Sequence, residues 1–287
     1  PPLLLTINIL SLRSTKFSIA LALSSGFQQM CHSHAGGTTA SAAILPPLPP
    51  RTTVQTNPAS LFPTHYFSGD SHWVIPGHLM QGRHPGTSNN DDDSSSSMAA
   101  RIDAILKNGK CTTFACLQAE VDPREYVPLS NEMDLTTLGG SELWKSDSAS
   151  FASYSEDAVR IAKEMDTNTP QFVHYGIVDM NTAVSLESLI DVVLHLADRI
   201  RNKHEVIYMH CWGGKGRAGL VSACLLGVLY PEIKDADEAL ERIQAYCNVR
   251  SRGAKGVFYH SPETDAQKGQ VSEFYRRLKA GEIQSSL

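Results

Sequence analysis

A cysteine and an arginine separated by five residues offer the clearest chemistry in this sequence. Cys211 is followed by Arg217, and three of the residues between them are glycines (Gly213, Gly214 and Gly216). A thiolate is a strong nucleophile, and the planar guanidinium can bind two oxygens of a phosphate at once. The two side chains could therefore act on one tetrahedral anion, provided that the chain between them forms a tight loop.

The segments on either side of this loop are those that such a site needs. Residues 206–209 have the apolar pattern of a strand, and residues 218–229 form an apolar stretch of helical character. A loop at a helix N-terminus directs backbone N–H groups at an anion, and the helix dipole adds positive potential. The same donors would stabilise a thiolate at the floor of the cradle. The order of strand, loop and helix thus predicts an anion site built around Cys211.

The stretch from His210 to Gly219 resembles the His-Cys-x5-Arg signature of the Cys-based protein phosphatases, in their dual-specificity and tyrosine phosphatase-like branch. The resemblance implies a hydrolase that acts on a phosphorylated protein or another phosphomonoester through a phosphocysteine on Cys211. It implies no cofactor and no metal. It also implies phosphate binding by Trp212, Gly213, Gly214, Lys215, Gly216 and Arg217. His210 is expected either to support the loop by hydrogen bonding or simply to pack at the strand end.

Asp179 is the candidate general acid and base. It lies in the loop at residues 176–184, between a predicted strand and a predicted helix, where the family carries its acid. Its alternative role is a favourable charge before the N-terminus of the next helix. Related loops often have a proline a few residues after the acid, and this chain has none. Asp191 is a second candidate, although its helical pattern favours a surface position.

The residue after the signature arginine departs from the family. Relatives usually have Ser or Thr there, whose hydroxyl stabilises the thiolate as the intermediate breaks down, and this chain has Ala218. We therefore expect slow turnover. Gln267, in a stretch that resembles one near the end of such phosphatases, is a candidate for placing water. A position on a helix face is the alternative.

Several other functions are compatible with parts of the pattern. A pseudophosphatase would bind phosphorylated partners without turning them over, as Ala218 and the missing proline suggest. Lys215 resembles the basic loop residues of inositol-lipid phosphatases, so a phosphoinositide or phosphoglycan substrate is a further alternative, although Trp212 stands where those enzymes tend to have a second Lys. A rhodanese-like sulfur transferase fits less well, because it does not explain Arg217. The basic loop at residues 250–255 predicts either an exposed loop or a second anion site formed by Arg250, Arg252 and Lys255.

The composition excludes some broader classes. A formal charge of −5 over 287 residues gives no reason to expect a nucleic-acid-binding protein, and no apolar run reaches the length of a membrane span. The six cysteines fit neither a zinc pattern nor a compact disulfide framework. Because a nucleophilic Cys211 must stay reduced, we expect an intracellular reducing compartment, either the cytoplasm or an organelle.

The chain divides into three parts by composition. Residues 1–69 contain no Asp or Glu and are rich in Ser, Thr and Pro, which predicts a disordered or targeting segment, with a plastid or mitochondrial transit peptide as one option. Residues 70–280 are expected to form the phosphatase-like domain, with a polar insertion near 87–98. Residues 281–287 would be a tail.

The predicted elements alternate between strand and helix. A hairpin near residues 73–86 precedes a helix at 99–107, a strand at 112–117, a helix at 155–165 and a strand at 171–175. After the helix at 185–200, the signature strand and helix follow, then a helix at 235–247 and a last helix opened by Ser261 as N-cap. This order predicts an α/β fold with a central, mostly parallel sheet of about four or five strands flanked by helices.

Overall fold

The computed structural model of the chain describes residues 41–87, 97–122, 135–142, 151–250 and 260–283. These residues form an α/β fold with one six-stranded sheet and eight α-helices. The strands are β1 (Ser71–Ile75), β2 (Leu79–Arg83), β3 (Thr113–Gln118), β4 (Leu135–Gly140), β5 (Gln171–Ile177) and β6 (Ile207–Cys211). The helices are α1 (Arg51–Thr56), α2 (Phe62–His65), α3 (Met98–Lys107), α4 (Ser155–Glu164), α5 (Leu186–Arg201), α6 (Gly216–Leu229), α7 (Ala236–Asn248) and α8 (Asp265–Lys279).

The sheet has the order β1-β2-β6-β3-β5-β4. β1 pairs with β2 in antiparallel fashion, and all other neighbours are parallel. The predicted fold class is confirmed. The sheet has six strands rather than four or five, because β4 comes from a polar stretch in which no strand was predicted.

Helices cover both faces of the sheet. One apolar cluster joins α5, α6, α7 and α8 to one face, and a second cluster joins α3 and α4 to the other. Every residue of α6 is buried, which explains why its apolar character extends all round the helix. Because β6 lies between β2 and β3, the signature strand ends near the middle of the sheet, beneath the N-terminus of α6.

The described part of the predicted N-terminal segment is folded. Residues 51–65 form α1, a 3₁₀ turn and α2, and Val54 and Leu61 are buried in the larger cluster. The Arg51 side chain bonds Glu241 of α7 at 2.8 Å. The expectation that all of residues 1–69 lie outside the domain was therefore wrong for 41–69. The acid-poor composition of this region hid a short amphipathic packing element.

The last helix begins three residues later than predicted. Its N-cap is Thr264, which accepts from the backbone N–H of Gln267, and the Gln267 side chain accepts from the backbone N–H of Thr264. This reciprocal pair is a capping box. Ser261 lies before the helix, and its hydroxyl donates to the carbonyl of Lys215.

Other predictions fall on residues that the structure does not describe. These are the composition-based calls on residues 1–40, most of the polar insertion, and Arg252 with Lys255 in the basic loop. At the end of the insertion, Ser97 is the N-cap of α3 and accepts from the Ala100 N–H. The division into a domain of 70–280 and a tail of 281–287 stays a prediction.

Candidate active site

The candidate site lies at the carboxyl ends of the parallel strands, as the sequence predicted. Cys211 is the last residue of β6 and is 2% exposed. The segment at residues 211–217, here called the anion loop, connects it to α6, whose first residue is Gly216. The site is therefore at the strand ends where open α/β sheets bind their ligands.

Strand β2 holds the outer side of the anion loop. The backbone N–H just after β2, that of His84, donates to the carbonyl of Trp212 at 3.0 Å. One residue of β2, the buried Gln81, donates from its amide to the carbonyl of Gly214 at 3.0 Å. The carbonyls of Trp212 and Gly214 are thus held by β2 and by the residue that follows it.

Two residues that follow α7 hold the remaining carbonyls. The Arg250 guanidinium donates to the carbonyls of Gly213 at 3.2 Å and Gly214 at 3.1 Å. The Ser261 hydroxyl donates to the carbonyl of Lys215 at 2.9 Å. With the carbonyls of residues 212–215 all engaged from outside, the loop can present backbone N–H groups to an anion. Among the described residues, no hydrogen bond uses the backbone N–H groups of Gly213, Gly214 and Gly216.

Only one glycine of the loop has both a special backbone conformation and no space for a side chain. Gly214 has φ = +65°, and a Cβ there would overlap the backbone carbonyl of Gly82 in β2. At Gly213, by contrast, the nearest atom to an added Cβ would be the flexible end of Lys215, at 3.7 Å. The crossing of the loop over β2 therefore requires glycine at position 214.

Arg217 connects the loop to the neighbouring strand ends. Its Nη1 donates to the Glu120 carboxylate at 2.6 Å and to the Ile177 carbonyl at 3.0 Å, and its Nη2 lies 2.8 Å from the Asp179 carboxylate. The side chain is 1% exposed. Burial lowers the pKa of Arg217, but the negative charges at Cys211, Glu120 and Asp179 raise it overall. The guanidinium is fixed and charged, as a phosphate-binding group must be.

Glu120 is one residue of this site that sequence reasoning missed. It comes two residues after β3, and its side chain is 2% exposed. Its second oxygen is buried without a hydrogen-bond partner among the described residues. A signal was available, because a polar residue just beyond a buried strand lies at the same edge of the sheet as Cys211. Without knowledge of the strand order, nothing connected it to Arg217.

Asp179 lies in the connection between β5 and α5, as predicted. The loop at residues 178–184, here called the Asp179 loop, is tied to α8 by two glutamines. Gln267 donates to the Asn181 carbonyl at 3.0 Å. Gln270 accepts from the backbone N–H of Ala183 at 2.9 Å and donates to its carbonyl at 3.1 Å.

The residue after Asp179 is in an unusual conformation. Met180 has φ = +60° and is 52% exposed. The left-handed region is uncommon for a residue with a long side chain, and such strain concentrates at functional sites. The alternative acid, Asp191, lies on an exposed part of α5, which agrees with its predicted surface position.

His210 is an uncharged part of the core beside Cys211. Its side chain is fully buried, and its Nε2 lies 2.6 Å from the Tyr154 hydroxyl. Burial lowers the pKa of His210 to about 3. The ring also contacts His84, at 5.1 Å between centroids, and burial holds the pKa of His84 well below its ordinary value. Both imidazoles are therefore neutral near pH 7.

The remaining predicted site residues occupy distinct positions around the loop. Trp212 packs its ring edge-on against Phe151, at 5.5 Å. Lys215 is the N-cap of α6, and its pKa is lowered by burial and by the positive charge of Arg250. Ala218 is fully buried in the first turns of α6, so this position offers no hydroxyl to the sulfur.

Gln267 makes structural hydrogen bonds, besides the role in placing water that the sequence predicts. Its amide oxygen accepts from the backbone N–H groups of Glu263 and Thr264, and its amide nitrogen donates to the Asn181 carbonyl. It thus caps α8 and anchors the Asp179 loop. Its role in placing water stays a prediction.

The described residues contain no group of three or more His, Cys, Asp or Glu side chains arranged to hold a metal ion. None of the described helices combines the length and the apolar character needed to cross a membrane.

A comparison with protein families gave a match over part of the chain. Residues 162–285 match a family model described as "PTP-SAK: Swiss Army Knife protein, DSP-PTPase phosphatase domain". The matched segment contains Asp179, Cys211 and Arg217. This segment is therefore similar to the phosphatase domains of the dual-specificity type, and the match supports a phosphatase hydrolase.

Solved structures with a similar chain path include several phosphatases at low sequence identity. Tk-PTP in its active form is 16% identical, with a TM-score of 0.40 over 72% of this chain and 97% of that one. PTPMT1 in complex with PI(5)P is 14% identical, with a TM-score of 0.45 over 74% and 98%. A phosphatase from Entamoeba histolytica with leucine-rich repeats is 11% identical, with a TM-score of 0.41 over 78% and 99%. A search of curated protein sequences gave no match.

Proposed function

We propose that this chain hydrolyses phosphomonoesters through a phosphocysteine intermediate on Cys211, with Arg217 binding the phosphate and Asp179 acting first as general acid and then as general base. One observation carries the proposal. The buried guanidinium that follows the signature loop lies 2.8 Å from the candidate acid, so the phosphate-binding group and the proton donor are already adjacent.

The reaction has two steps. The Cys211 thiolate attacks phosphorus and the bond to the alkoxide or phenoxide oxygen breaks, while Asp179 gives that oxygen its proton. Water then attacks the phosphocysteine, Asp179 takes the proton from the water, and the thiolate is released with inorganic phosphate. Arg217 and the inward N–H groups stabilise the charge on the non-bridging oxygens in both transition states.

The two carboxylates on Arg217 differ in a way that supports these roles. Glu120 is 2% exposed and remains beneath the guanidinium, whereas Asp179 is 30% exposed at the outer side. An incoming phosphate can replace Asp179 on Nη2 while Glu120 keeps Nη1 in place. The displaced carboxylate is then free to serve the leaving group.

Hydrolysis of aryl phosphates by the full chain, under reducing conditions, tests the assignment. Cys211→Ser should abolish turnover. Asp179→Asn should lower kcat by about 10²–10⁴ for an ester with a poor leaving group and much less for an activated ester, because only the poor leaving group needs its proton. Equal losses on both esters would remove Asp179 from the role of acid, and an active Cys211→Ser variant would overturn the whole proposal.

Slow breakdown of the intermediate is the second part of the proposal, and it follows from the methyl group at Ala218. A pre-steady-state experiment should show a burst of one phenol per site, followed by slow turnover. Ala218→Ser should raise the steady rate and reduce the burst. The absence of a burst in the wild-type chain would mean that the second step is not limiting.

A binding module without turnover is the alternative that Ala218 and the carboxylate-paired Arg217 favour. Such a chain would bind tungstate, an analogue of phosphate, and yet release no phosphate from any substrate. The choice among phosphoprotein, phosphoinositide and phosphoglycan is tested by phosphate release from a panel of each class. Lys215 gives a specific reason to include polyanionic lipids and glycans, because it places a cation within the loop.

A further inference from the structure

Arg250 is a buried cation with an unusual set of partners. The residue is 8% exposed, and its donors reach the carbonyls of Gly69 at 3.3 Å, Gly213 at 3.2 Å and Gly214 at 3.1 Å. In the part of the chain that the structure describes, no carboxylate lies within ion-pair distance of it. The alternative of an exposed loop residue is therefore wrong for Arg250, and the alternative of a second anion site with Arg252 and Lys255 stays a prediction.

A buried charge needs compensation, and neutral carbonyls supply only part of it. Two of the three carbonyls that Arg250 binds belong to the anion loop itself. The guanidinium therefore lies on the outer side of the same peptide groups whose inner side faces the anion. Its hydrogen bonds also polarise these peptide groups, which strengthens their N–H groups as donors.

The positive charge of Arg250 acts on the ionisable groups around it. Burial lowers the pKa of Lys215 in the loop and that of the fully buried His72, and the charge of Arg250 lowers both further. Arg83 adds to the positive potential at Lys215, and Glu263 opposes it from the start of α8. Arg250 and Arg83 thus place positive charge beside the loop, and the Glu263 carboxylate offsets part of it.

We propose that Arg250 is the fixed countercharge of the anion in the loop. It acts through the carbonyls of Gly213 and Gly214 and favours doubly charged over singly charged anions. It is a positioning residue, because it does not touch the anion. The identification of that anion as a phosphomonoester rests on the proposed function, whereas the charge effect does not.

Two variants of the full chain separate charge from hydrogen bonding. Arg250→Gln keeps a donor and loses the charge, and Arg250→Lys keeps the charge and loses the planar fork. Arg201→Gln is the matched control, since Arg201 also donates to a backbone carbonyl, that of Leu229 at 3.0 Å, on a different part of the fold. All variants are first checked for cooperative thermal unfolding.

The first measurement is the rate of Cys211 alkylation by iodoacetate divided by the rate with neutral iodoacetamide. This ratio reports the potential at the sulfur, and the thiolate fraction cancels. Arg250→Gln should lower the ratio about tenfold, and should weaken tungstate binding by calorimetry by a similar factor. Arg250→Lys should keep both within about threefold, and Arg201→Gln should change neither.

Several outcomes would overturn the inference. One is an alkylation ratio that does not change in Arg250→Gln. Another is an equal loss of the ratio in the Gln and Lys variants, which would indicate that Arg250 supports the loop without a charge effect. If Arg250→Gln does not fold, the Lys variant still decides, because a ratio that falls tenfold with the charge retained contradicts the proposal. Neither measurement requires turnover. A chain that shows the charge effect but hydrolyses nothing would refute the proposed function and leave this inference standing.

Discussion

The anion loop and the Asp179 loop lie side by side but are held in different ways. The anion loop is bonded at four successive carbonyls by β2, by the residue after it and by two residues beyond α7. The backbone of the Asp179 loop is held by two glutamines of α8, and its Asp179 side chain is paired with Arg217. Its exposed Met180 is in a left-handed conformation.

The difference matches what each loop has to do in the proposed reaction. The anion loop must offer its donors in one fixed geometry, since preorganised dipoles stabilise developing charge without reorganisation. The Asp179 carboxylate must leave Arg217, reach a leaving group and later reach water. The hydrogen bonds from α8 hold the backbone of the Asp179 loop in place, and the Asp179 side chain can still change its position. This contrast predicts that damage to the two loops has different kinetic signatures.

The largest effect is expected from the anion loop. Gly214→Ala should lower kcat/KM for an aryl phosphate by about a hundredfold or more, because its Cβ would displace the loop from β2 at a φ that alanine resists. Gly213→Ala is the matched control on the neighbouring residue, where an added methyl group meets only the end of Lys215. The variants are compared on good and poor leaving groups. If both variants lose activity equally, the crossing at position 214 has no special importance.

A smaller and more selective effect is expected from the tether of the Asp179 loop. Gln270→Ala removes two hydrogen bonds to Ala183, and we expect kcat to fall about tenfold for a poor leaving group with little change for an activated ester. KM should be unchanged, since the anion loop is untouched. Ser272→Ala, on an exposed position of the same helix, controls for general effects on α8. Equal losses on both esters would show that the glutamine stabilises the fold without positioning the acid.

The smallest expected effect is a loss of folding stability at low pH that arises beside the anion loop. His210, at the strand end that carries the anion loop, is neutral when folded and has an ordinary pKa near 6.5 when unfolded. The unfolded state therefore binds a proton that the native state excludes, and stability falls as the pH drops below about 6.5. Between pH 7.5 and 5.5 this residue should cost about 1.4 kcal/mol of unfolding free energy.

Urea unfolding at the two pH values measures this loss in the wild type and in His210→Gln. The variant can keep a partner for Tyr154, and its pH-dependent loss should be smaller by about 1.4 kcal/mol. An identical loss in both proteins would assign the acid sensitivity to other buried imidazoles, of which His72 and His84 are the first to examine.

The sequence predicted the local parts of this site and missed the parts that depend on topology. Cys211 and Arg217 are close along the chain, and the strand, loop and helix around them follow from glycine spacing and apolar pattern alone. Glu120, Gln81 and Arg250 reach the loop from distant positions. Each has a polar side chain with many possible positions, and only the strand order decides that they meet.

The same reasoning explains the errors at the N-terminus and at α8. Composition suggested disorder for residues 41–69, but a short helix needs only a few apolar residues when α7 is present to cover them. The capping pattern at Ser261 was locally sound, yet Ser261 donates to Lys215 instead, and Thr264 with Gln267 forms the cap. In both places a tertiary contact outweighed the local preference.

The crossing at Gly214 also limits how this chain can change over time. Gly214 leaves no room above Gly82, and a side chain at Gly82 would in turn overlap the hydroxyl of Tyr208, which donates to the Arg83 carbonyl at 2.6 Å. A substitution at one of these three positions therefore depends on the residues at the others. A randomised library should recover side chains at position 82 only in clones that have already lost the ring at 208, whereas position 214 should stay glycine in every active clone.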